Sequence, residues 1–554
     1  MSLPLLALLF LVALAVGYGW YGRLVERQVQ PDDARPTPAH VRADGVDFVP
    51  TPPFYLFAQH FSAIAAAGPI AGPILACQAF GWAPCLLWIG FGVVLIGAVH
   101  DFCSLAASVR HGGLSLAEIA REQLGPRAGL AMLAFIGLAL SYVIVAFTDI
   151  TAGTFVIGPE ELAGQATHFH PGGAVAAASV MYLLLSVIMG VVQRALKPPL
   201  WLVTVIFVPA TFAVAWCGTL VSEHFVMDRT GWALAILAYC GVASVVPVWA
   251  LLQPRGYLGG FVLYTALALG VIGVFFGGLT VQQPAFKGWD SAASGPLFPF
   301  LFVTIACGAC SGFHGLVCSG TTSKQLDRES HIRPVGYGAM LAEGFVALIA
   351  LVTIMILSPA QAQGLPAGTV YGTGIGRFMT LIIGSERLPF AVTFGAMAFS
   401  TFVFDTLDVS TRLGRLIVQE LVGVRGRTGA AVATAAVLTL PALMLSFADH
   451  SMWLRFWVLF GASNQLLAAL TLLLISVWLR QSGRSPRFTL PPMLFVLVIT
   501  LWALVRLVSS NLQASHGLDV PLLNAVTAAG LIALALYLAA AALRRLVAAR
   551  AVAR

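Results

Sequence analysis

About fifteen apolar windows, each of roughly 20 residues, follow one another along the 554-residue chain. A helix of that length crosses the hydrocarbon core of a bilayer and satisfies its backbone hydrogen bonds internally. Apolar residues make up 59% of the chain and charged residues only 10%. A soluble domain carries roughly 25% charged residues, so too few charges remain here to cover a soluble surface. The sequence therefore predicts an all-α polytopic membrane protein with about fifteen transmembrane helices.

The connecting segments are too short to form a soluble domain of their own. The longest polar stretches cover residues 21–55, 281–295 and 359–385. The first window lacks a basic leader and a clear cleavage site, so we interpret it as a retained helix and not as a signal peptide. The predicted windows cover residues 3–20, 56–80, 84–109, 128–150, 172–193, 199–221, 231–252, 257–280, 296–318, 335–358, 386–404, 429–447, 453–478, 487–509 and 521–546.

Arginine and lysine are concentrated in every second loop, from Arg23 and Arg27 after the first window to Arg544 and Arg545 in the tail. Arg255 is the basic residue of one of these loops. Basic residues of short loops stay on the cytoplasmic side of the membrane. The pattern predicts an N-terminus outside and a C-terminus inside, and it explains the net charge of +7 without a nucleic-acid partner.

Two of the windows contain helix-breaking residues. The second carries Gly68-Pro69 and Gly72-Pro73, and the ninth carries the run from Cys307 to Gly312. Such breaks persist in lipid only where they are buried or line a cavity, and half-helix N-termini then bind anions. Close helix packing through small residues is the alternative explanation. The predicted substrate-binding residues are Gly68, Pro69, Gly72, Cys307, Gly308, Ser311, Gly312 and Asn464.

Interrupted helices in corresponding positions are typical of transporters that are built from inverted repeats. We therefore predict that residues 56–221 and 296–478 form two inverted five-helix repeats. Residues 1–55 would be an anchor helix with a cytoplasmic segment, 222–295 an accessory hairpin, and 479–554 two accessory helices.

Ionisable residues inside apolar windows are costly and indicate function. Asp405 and Asp408 stand three residues apart on one helix face, which suits a proton carrier, or Asp408 pairs with Arg412 as a structural bridge. Asn464 and Gln465 are either ligands or an interhelical clamp. The candidates for ion or proton coupling are His60, Asp101, His314, Glu343, Asp405, Asp408 and Thr411.

A metal site at Cys307, Cys310 and His314 is the less favoured interpretation, because both cysteines lie in a run of small residues and no second cysteine pair follows. We predict neither a metal nor a cofactor. The chain also lacks HExxH and GxSxG signatures, so we do not expect an enzyme.

Short motifs recur through most of the predicted windows, at residues 47–51, 60–61, 68–69, 72–73, 101–102, 247–249, 254–255, 298–302, 306–309, 311–314, 319–322, 408, 411–412, 460–461 and 464–465. In these motifs the chain resembles the carbon starvation protein A family of bacterial peptide and pyruvate transporters. It departs from that family's pattern at Gln59 and His100.

The resemblance implies a LeuT-like core of inverted repeats and import of pyruvate or short peptides across the bacterial inner membrane during carbon starvation. It also implies proton coupling, with Asp405, Asp408 and Thr411 facing the second helix at a cation site. A sodium-coupled amino-acid carrier and a membrane nutrient sensor are the alternatives. The expected partners are the small-molecule substrate, a proton or a sodium ion, and the lipid bilayer.

Overall fold

The computed structural model describes residues 2–45, 47–158, 168–424, 426–447 and 453–552. Within these ranges the protein is helical, apart from a short antiparallel pair of strands, β1 (Asp290–Ser291) and β2 (Gly295–Pro296). Twelve of the described helices are long and apolar enough to cross a membrane, and thirteen are if one bent pair counts as a single span. The other two predicted windows contain shorter helices, so length and composition support fewer spans than the fifteen predicted.

Most of the helices fall at the predicted windows, whereas α5 and α14 lie outside them. In chain order they are α1 (Leu3–Val29), α2 (Pro53–Ile64), α3 (Gly68–Phe80), α4 (Trp82–Arg110), α5 (Leu116–Leu124), α6 (Pro126–Phe155), α7 (Pro171–Leu196), α8 (Leu200–Leu220), α9 (Arg229–Val245), α10 (Leu252–Phe276), α11 (Leu297–Thr304), α12 (Gly312–Gly320), α13 (Glu329–Met355), α14 (Ala367–Ile383), α15 (Leu388–Val422), α16 (Gly426–Phe447), α17 (Trp453–Gln481), α18 (Leu490–Ala514) and α19 (Val520–Val552). Single helical turns lie at Pro38–Val41 and Pro359–Ala362.

Two of the windows are interrupted in the structure. Helix α2 ends at Ile64 and α3 begins at Gly68, with a bend of 42° between them. Pro69 lies in the first turn of α3, where its missing N–H costs no hydrogen bond. Helices α11 and α12 are separated by residues 305–311. The two breaks lie against each other, since a Cβ added to Gly68 would lie 2.5 Å from the sulfur of Cys307.

Helix α14 was missed by the sequence analysis, which treated residues 359–385 as a polar loop. Its first half is rich in glycine and threonine and is buried. A Cβ at Gly372 would lie 2.8 Å from the backbone nitrogen of Ala396, so α14 packs closely against α15. Small residues lower the hydropathy of a segment but allow close helix packing, and hydropathy alone therefore missed this helix.

The segment between α1 and α2 lies across the end of α4 and the loop before α13. We call residues 30–45 and 47–52 the N-terminal strap. Arg110 forms two hydrogen bonds with Glu329, of 2.8 and 2.7 Å, and the backbone N–H of Asp32 donates to the same carboxylate at 2.8 Å. Glu329 thus holds the strap to the ends of two membrane helices.

Further contacts continue along the strap. The hydroxyl of Thr37 donates to the carbonyl of Leu326 at 2.5 Å. Ser330 donates to Asp33 through its backbone N–H and its hydroxyl, each at 2.8 Å. These contacts hold the strap to α4, to the loop before α13 and to the start of α13.

Candidate functional site

Four buried ionisable side chains from three helices form a continuous chain. His100 and Asp101 lie on α4, His314 on the first turn of α12, and Glu343 on α13. The Nδ1 of His100 lies 2.7 Å from one oxygen of Asp101, and the Nδ1 of His314 lies 2.8 Å from the other. The Nε2 of His314 is 3.2 Å from Glu343. All four side chains are at most 1% exposed, so none of their charges is screened by water.

His314 links the two carboxylates, and this position restricts where protons can sit. A neutral imidazole donates through one ring nitrogen and accepts through the other, whereas an imidazolium donates through both. Either His314 is charged between two carboxylates, or it is neutral and one carboxyl carries the proton. The contact of His314 with Glu343 is a charge contact without hydrogen-bond geometry, so a small rotation of either side chain is needed before the two groups can share one proton.

His60, on α2, lies next to this chain of four. Its Nδ1 lies 2.9 Å from the hydroxyl of Thr322, and its Nε2 lies 3.9 Å from the sulfur of Cys318. Cys318 in turn donates to the backbone carbonyl of Asp101 at 3.5 Å. The structure thus brings the predicted coupling residues His60, Asp101, His314 and Glu343 to one buried region.

The predicted substrate-binding residues meet at the two helix breaks. Asn464, on α17, accepts a hydrogen bond from the backbone N–H of Phe313 at 2.9 Å. Its side-chain amide donates to the Ser311 hydroxyl at 3.0 Å and to the Cys307 sulfur at 3.1 Å. A Cβ at Gly312 would lie 2.5 Å from the carbonyl oxygen of Asn464. Asn464 therefore caps the N-terminus of α12, the half-helix end where an anion was predicted to bind.

The other predicted glycines and the proline lie at the same place. A Cβ at Gly308 would lie 3.4 Å from the Cα of Pro69, and one at Gly72 would lie 2.6 Å from the carbonyl oxygen of Thr304. The approach of 2.6 Å at Gly72 requires glycine, whereas the contact of 3.4 Å at Gly308 is an ordinary van der Waals distance. Their local role in this structure is close packing, the alternative that the sequence left open.

Three side chains satisfy the backbone carbonyls at the C-terminus of α11. The amide of Gln465 donates to the carbonyl of Phe302 at 2.9 Å. The indole N–H groups of Trp457 and Trp88 donate to the carbonyls of Thr304 and Ile305 at 3.0 and 3.2 Å. These carbonyls lack partners within their own helix. Asn464 and Gln465 thus hold both sides of the second break, as the clamp interpretation predicted.

Asp405 and Asp408 form a second charged cluster, on α15. Arg255, on α10, contacts both carboxylates and lies 2.8 Å from Asp408. The hydroxyl of Tyr239, on α9, donates to Asp408 at 2.8 Å, and the hydroxyl of Tyr182, on α7, donates to the carbonyl of Arg255 at 2.8 Å. The Arg255 side chain is 2% exposed. This cluster joins α7, α9, α10 and α15.

One of the two alternatives for Asp408 and the expected position of Arg255 were wrong. Asp408 pairs with Arg255 and not with Arg412, because Arg412 reaches across to α9 and donates to the carbonyls of Ala243 and Val246 at 3.2 and 2.7 Å. Arg255 does not lie in a loop but is buried near the start of α10.

In the structure, Asp405 and Asp408 contact α9 and α10. The family resemblance had implied instead that they face the second helix. Thr411 is buried on the same helix, beside Cys240 of α9.

The cysteines of the second break are engaged in packing and hydrogen bonding. Cys307 accepts from Asn464, and both ring nitrogens of His314 face carboxylates. Within the described residues there is no group of three or more histidine, cysteine or acidic side chains that could hold a metal ion.

Sequence reasoning missed Arg255, Tyr239 and the two indoles at the break. Arg255 follows a proline directly, and its position between apolar windows favoured a loop. The signal that identifies it is pairing: Asp405 and Asp408 are two acids that directly follow the apolar window 386–404, and a buried acid that stays charged needs a cation beside it.

Comparison with known proteins gives one consistent family. The model of the carbon starvation protein CstA family matches residues 3–373 and 363–503. The peptide transporter CstA of Campylobacter jejuni is 34% identical over 88% of this chain and 78% of its own. The peptide transporter CstA of Bacillus subtilis is 31% identical over 91% of this chain and 90% of its own. The pyruvate/proton symporter BtsT of Escherichia coli is 33% identical over 90% of this chain and 81% of its own.

A solved manganese transporter from Eremococcus coleocola is similar over 92% of this chain and 99% of its own, with 14% identity and a TM-score of 0.45. That likeness is distant and adds nothing to the assignment. The candidate spans and the transporter relatives identify a multi-pass protein of the bacterial inner membrane. By its family match over most of its length, the chain belongs to the carbon starvation protein CstA family.

Proposed function

We propose that this protein is a proton-coupled secondary transporter that imports small carboxylate-bearing nutrients, either pyruvate or short peptides, and that it is not an enzyme. The relatives named as peptide transporters and as a pyruvate/proton symporter support both substrate classes. The family's name supports the further proposal that import serves cells short of carbon.

One adjacency carries the proposal. Phe313 and His314 are neighbours on the first turn of α12. The N–H of Phe313 is a donor at a half-helix N-terminus, where a carboxylate binds well. His314 sits between Asp101 and Glu343, where a proton can be shared. A substrate carboxylate at one residue and a proton at the next would affect each other's binding, which is the requirement for coupled transport.

Substrate binding at this point would require Asn464 to release the N–H of Phe313. In this structure the side-chain oxygen of Asn464 accepts the hydrogen bond from the N–H of Phe313. A substrate carboxylate oxygen would take the same position. A carboxylate carries a full charge and forms stronger hydrogen bonds to backbone N–H groups than an amide oxygen does. The substrate would therefore displace Asn464 from Phe313, and Asn464 could then donate to the bound carboxylate through its amide.

Helix packing supports inverted repeats, with a partition that differs from the predicted one. Helix α6 packs on α15. Helix α9 packs on α6, α15 and α16, and α16 has the equivalent set of neighbours, α15, α6 and α9. Helix α10 packs on α15 and α13, as α17 does on α6 and α4. The first repeat would then consist of α2–α3, α4, α6, α9 and α10. The second would consist of their counterparts, in the same order, α11–α12, α13, α15, α16 and α17. Helices α7 and α8 would then form the inserted hairpin, in place of the predicted residues 222–295.

Uptake into proteoliposomes tests the proposal. Labelled pyruvate and a labelled dipeptide are supplied under an inward proton gradient or an inward sodium gradient. We expect one of them to accumulate under the proton gradient alone. His314→Gln should abolish accumulation, whereas His516→Gln, in the exposed loop before α19, should not. If neither substrate moves while the protein remains folded, the proposed function is wrong.

A further inference from the structure

Arg255 lies between two carboxylates of one helix, where its guanidinium takes the place that another cation would need in order to contact both of them. Asp405 and Asp408 are one turn apart and face the same side of α15. The guanidinium contacts both of them, through its two terminal nitrogens. Because the Arg255 side chain is 2% exposed and that of Asp408 is 0% exposed, water does not separate these two charges, whereas the Asp405 side chain is 23% exposed.

The surrounding residues hold the arginine at this position. A Cβ at Gly259, one turn along α10, would lie 3.1 Å from an oxygen of Asp405, so glycine allows α10 to approach α15. Tyr182 fixes the backbone of Arg255 through its carbonyl, and Tyr239 donates to Asp408. Each contact comes from a different helix, so the position of the guanidinium is set by the fold and not by a flexible side chain.

Without the arginine, this cluster has the composition of a site for a hard monovalent cation. Carboxylate and hydroxyl oxygens are the ligands that such ions prefer. Asp405 and Asp408 provide the carboxylates, and the hydroxyl of Tyr239 lies 2.8 Å from Asp408. The other nearby charge is that of Arg412, which donates to backbone carbonyls of α9. The guanidinium is therefore the cation that directly balances the two acids.

We propose that Arg255 is the built-in cation of this cluster and determines its ion specificity, so that the protein neither binds nor requires sodium. This inference rests on the proposed transport function only for its biological meaning, since sodium binding can be measured without transport. A second cation about 4 Å from the guanidinium would be repelled enough to weaken its binding on the order of a thousandfold. Coupling to protons would then take place at His314 and Glu343, away from Arg255.

The test removes the arginine and measures sodium binding by the whole purified protein. Thermal unfolding is followed while sodium chloride replaces choline chloride at constant ionic strength. We expect no difference between the two salts for the unaltered protein. Arg255→Ala should gain a sodium-dependent increase in Tm of several degrees, because it leaves two carboxylates without their cation.

A second variant guards against misfolding of the first. Arg255→Gln combined with Asp405→Asn removes one positive and one negative charge and keeps Asp408 beside Tyr239, so we expect it to fold and also to respond to sodium. Arg412→Gln is the matched control and should show no sodium response. Sodium stabilisation of the unaltered protein, or folded Arg255 variants that do not respond to sodium, would overturn the inference. Neither outcome depends on whether pyruvate or a peptide is carried.

Discussion

The backbone N–H of Phe313 donates a hydrogen bond of 2.9 Å to the side-chain oxygen of Asn464, a residue 151 positions further along the chain. The bond caps α12 at the point where the ninth apolar window is broken. The same side chain donates to Ser311 and Cys307, and its neighbour Gln465 donates to the carbonyl of Phe302 at the end of α11. Helix α17 thus supports both half-helices at once.

Asn464→Asp tests whether this cap competes with the substrate. A carboxylate at a helix N-terminus is favoured over an amide by roughly 0.3–1 kcal/mol in exposed sites and by more where it is partly buried. The variant would therefore hold Phe313 more firmly and would repel a substrate carboxylate. We expect the KM for uptake to rise at least several-fold in the folded protein, with some loss of thermal stability because a carboxylate cannot donate to Ser311 and Cys307. An unchanged KM in a folded variant would mean that the substrate does not bind at Phe313.

Gly461→Ala tests the tight packing behind the second break. A Cβ at Gly461 would lie 1.8 Å from the carbonyl oxygen of Val303, so α11 and α17 would be forced apart. Overpacking of this kind costs about 1–3 kcal/mol or more, and we expect a clear fall in Tm. The control is Gly530→Ala on α19, where nothing lies within 4 Å of the added methyl group. Equal Tm values for the two variants would contradict the packing of these two helices.

Much of the helical framework can be predicted from the sequence, because apolar length and backbone satisfaction leave few alternatives in lipid. The window at 128–150 became α6 with small shifts of its ends, whereas α15 begins close to the start of the window 386–404 but continues well beyond it, to Val422. Helix α14 was missed, since its buried face is made of glycine and threonine. Hydropathy measures the preference of a segment for lipid, whereas α14 is buried by other helices.

The sequence predicted which residues belong to the candidate site, but it did not predict which of them contact each other. Asp101 and Glu343 stood out as acids in apolar windows, yet the link between them is His314, which is 213 residues from Asp101. Sequence spacing predicts neighbours on one helix, such as Asp408 and Arg412. It cannot show that Arg255, on another helix, has the better geometry, and the local pairing was therefore wrong.

Glu329→Gln tests whether the N-terminal strap closes one end of the bundle. The change removes the charge that pairs with Arg110 across an interface where Glu329 is 3% exposed. Loss of one partner of a buried ion pair is strongly destabilising locally, so the strap should open more often. We expect the buried thiol of Cys307 to react several-fold faster with a membrane-permeant maleimide. Glu122→Gln on the surface of α5 is the control.

If Cys307 reacts with the maleimide at the same rate in Glu329→Gln, in Glu122→Gln and in the unaltered protein, the strap does not control access to the helix breaks. Cys217 is the exposed cysteine of the eight, so a Cys217→Ser background removes its contribution to the labelling.

The measurement that tests the account most directly is proton movement coupled to substrate in Glu343→Gln. An amide at this position keeps the shape of the side chain but cannot exchange a proton with His314. In proteoliposomes that contain a pH-sensitive dye, the unaltered protein should acidify the lumen when pyruvate or a dipeptide is added outside. Glu343→Gln should still exchange labelled for unlabelled substrate but should move no protons and accumulate nothing. Proton movement that persists in Glu343→Gln, at the rate of the unaltered protein, would contradict the central claim that His314 and Glu343 share the transported proton.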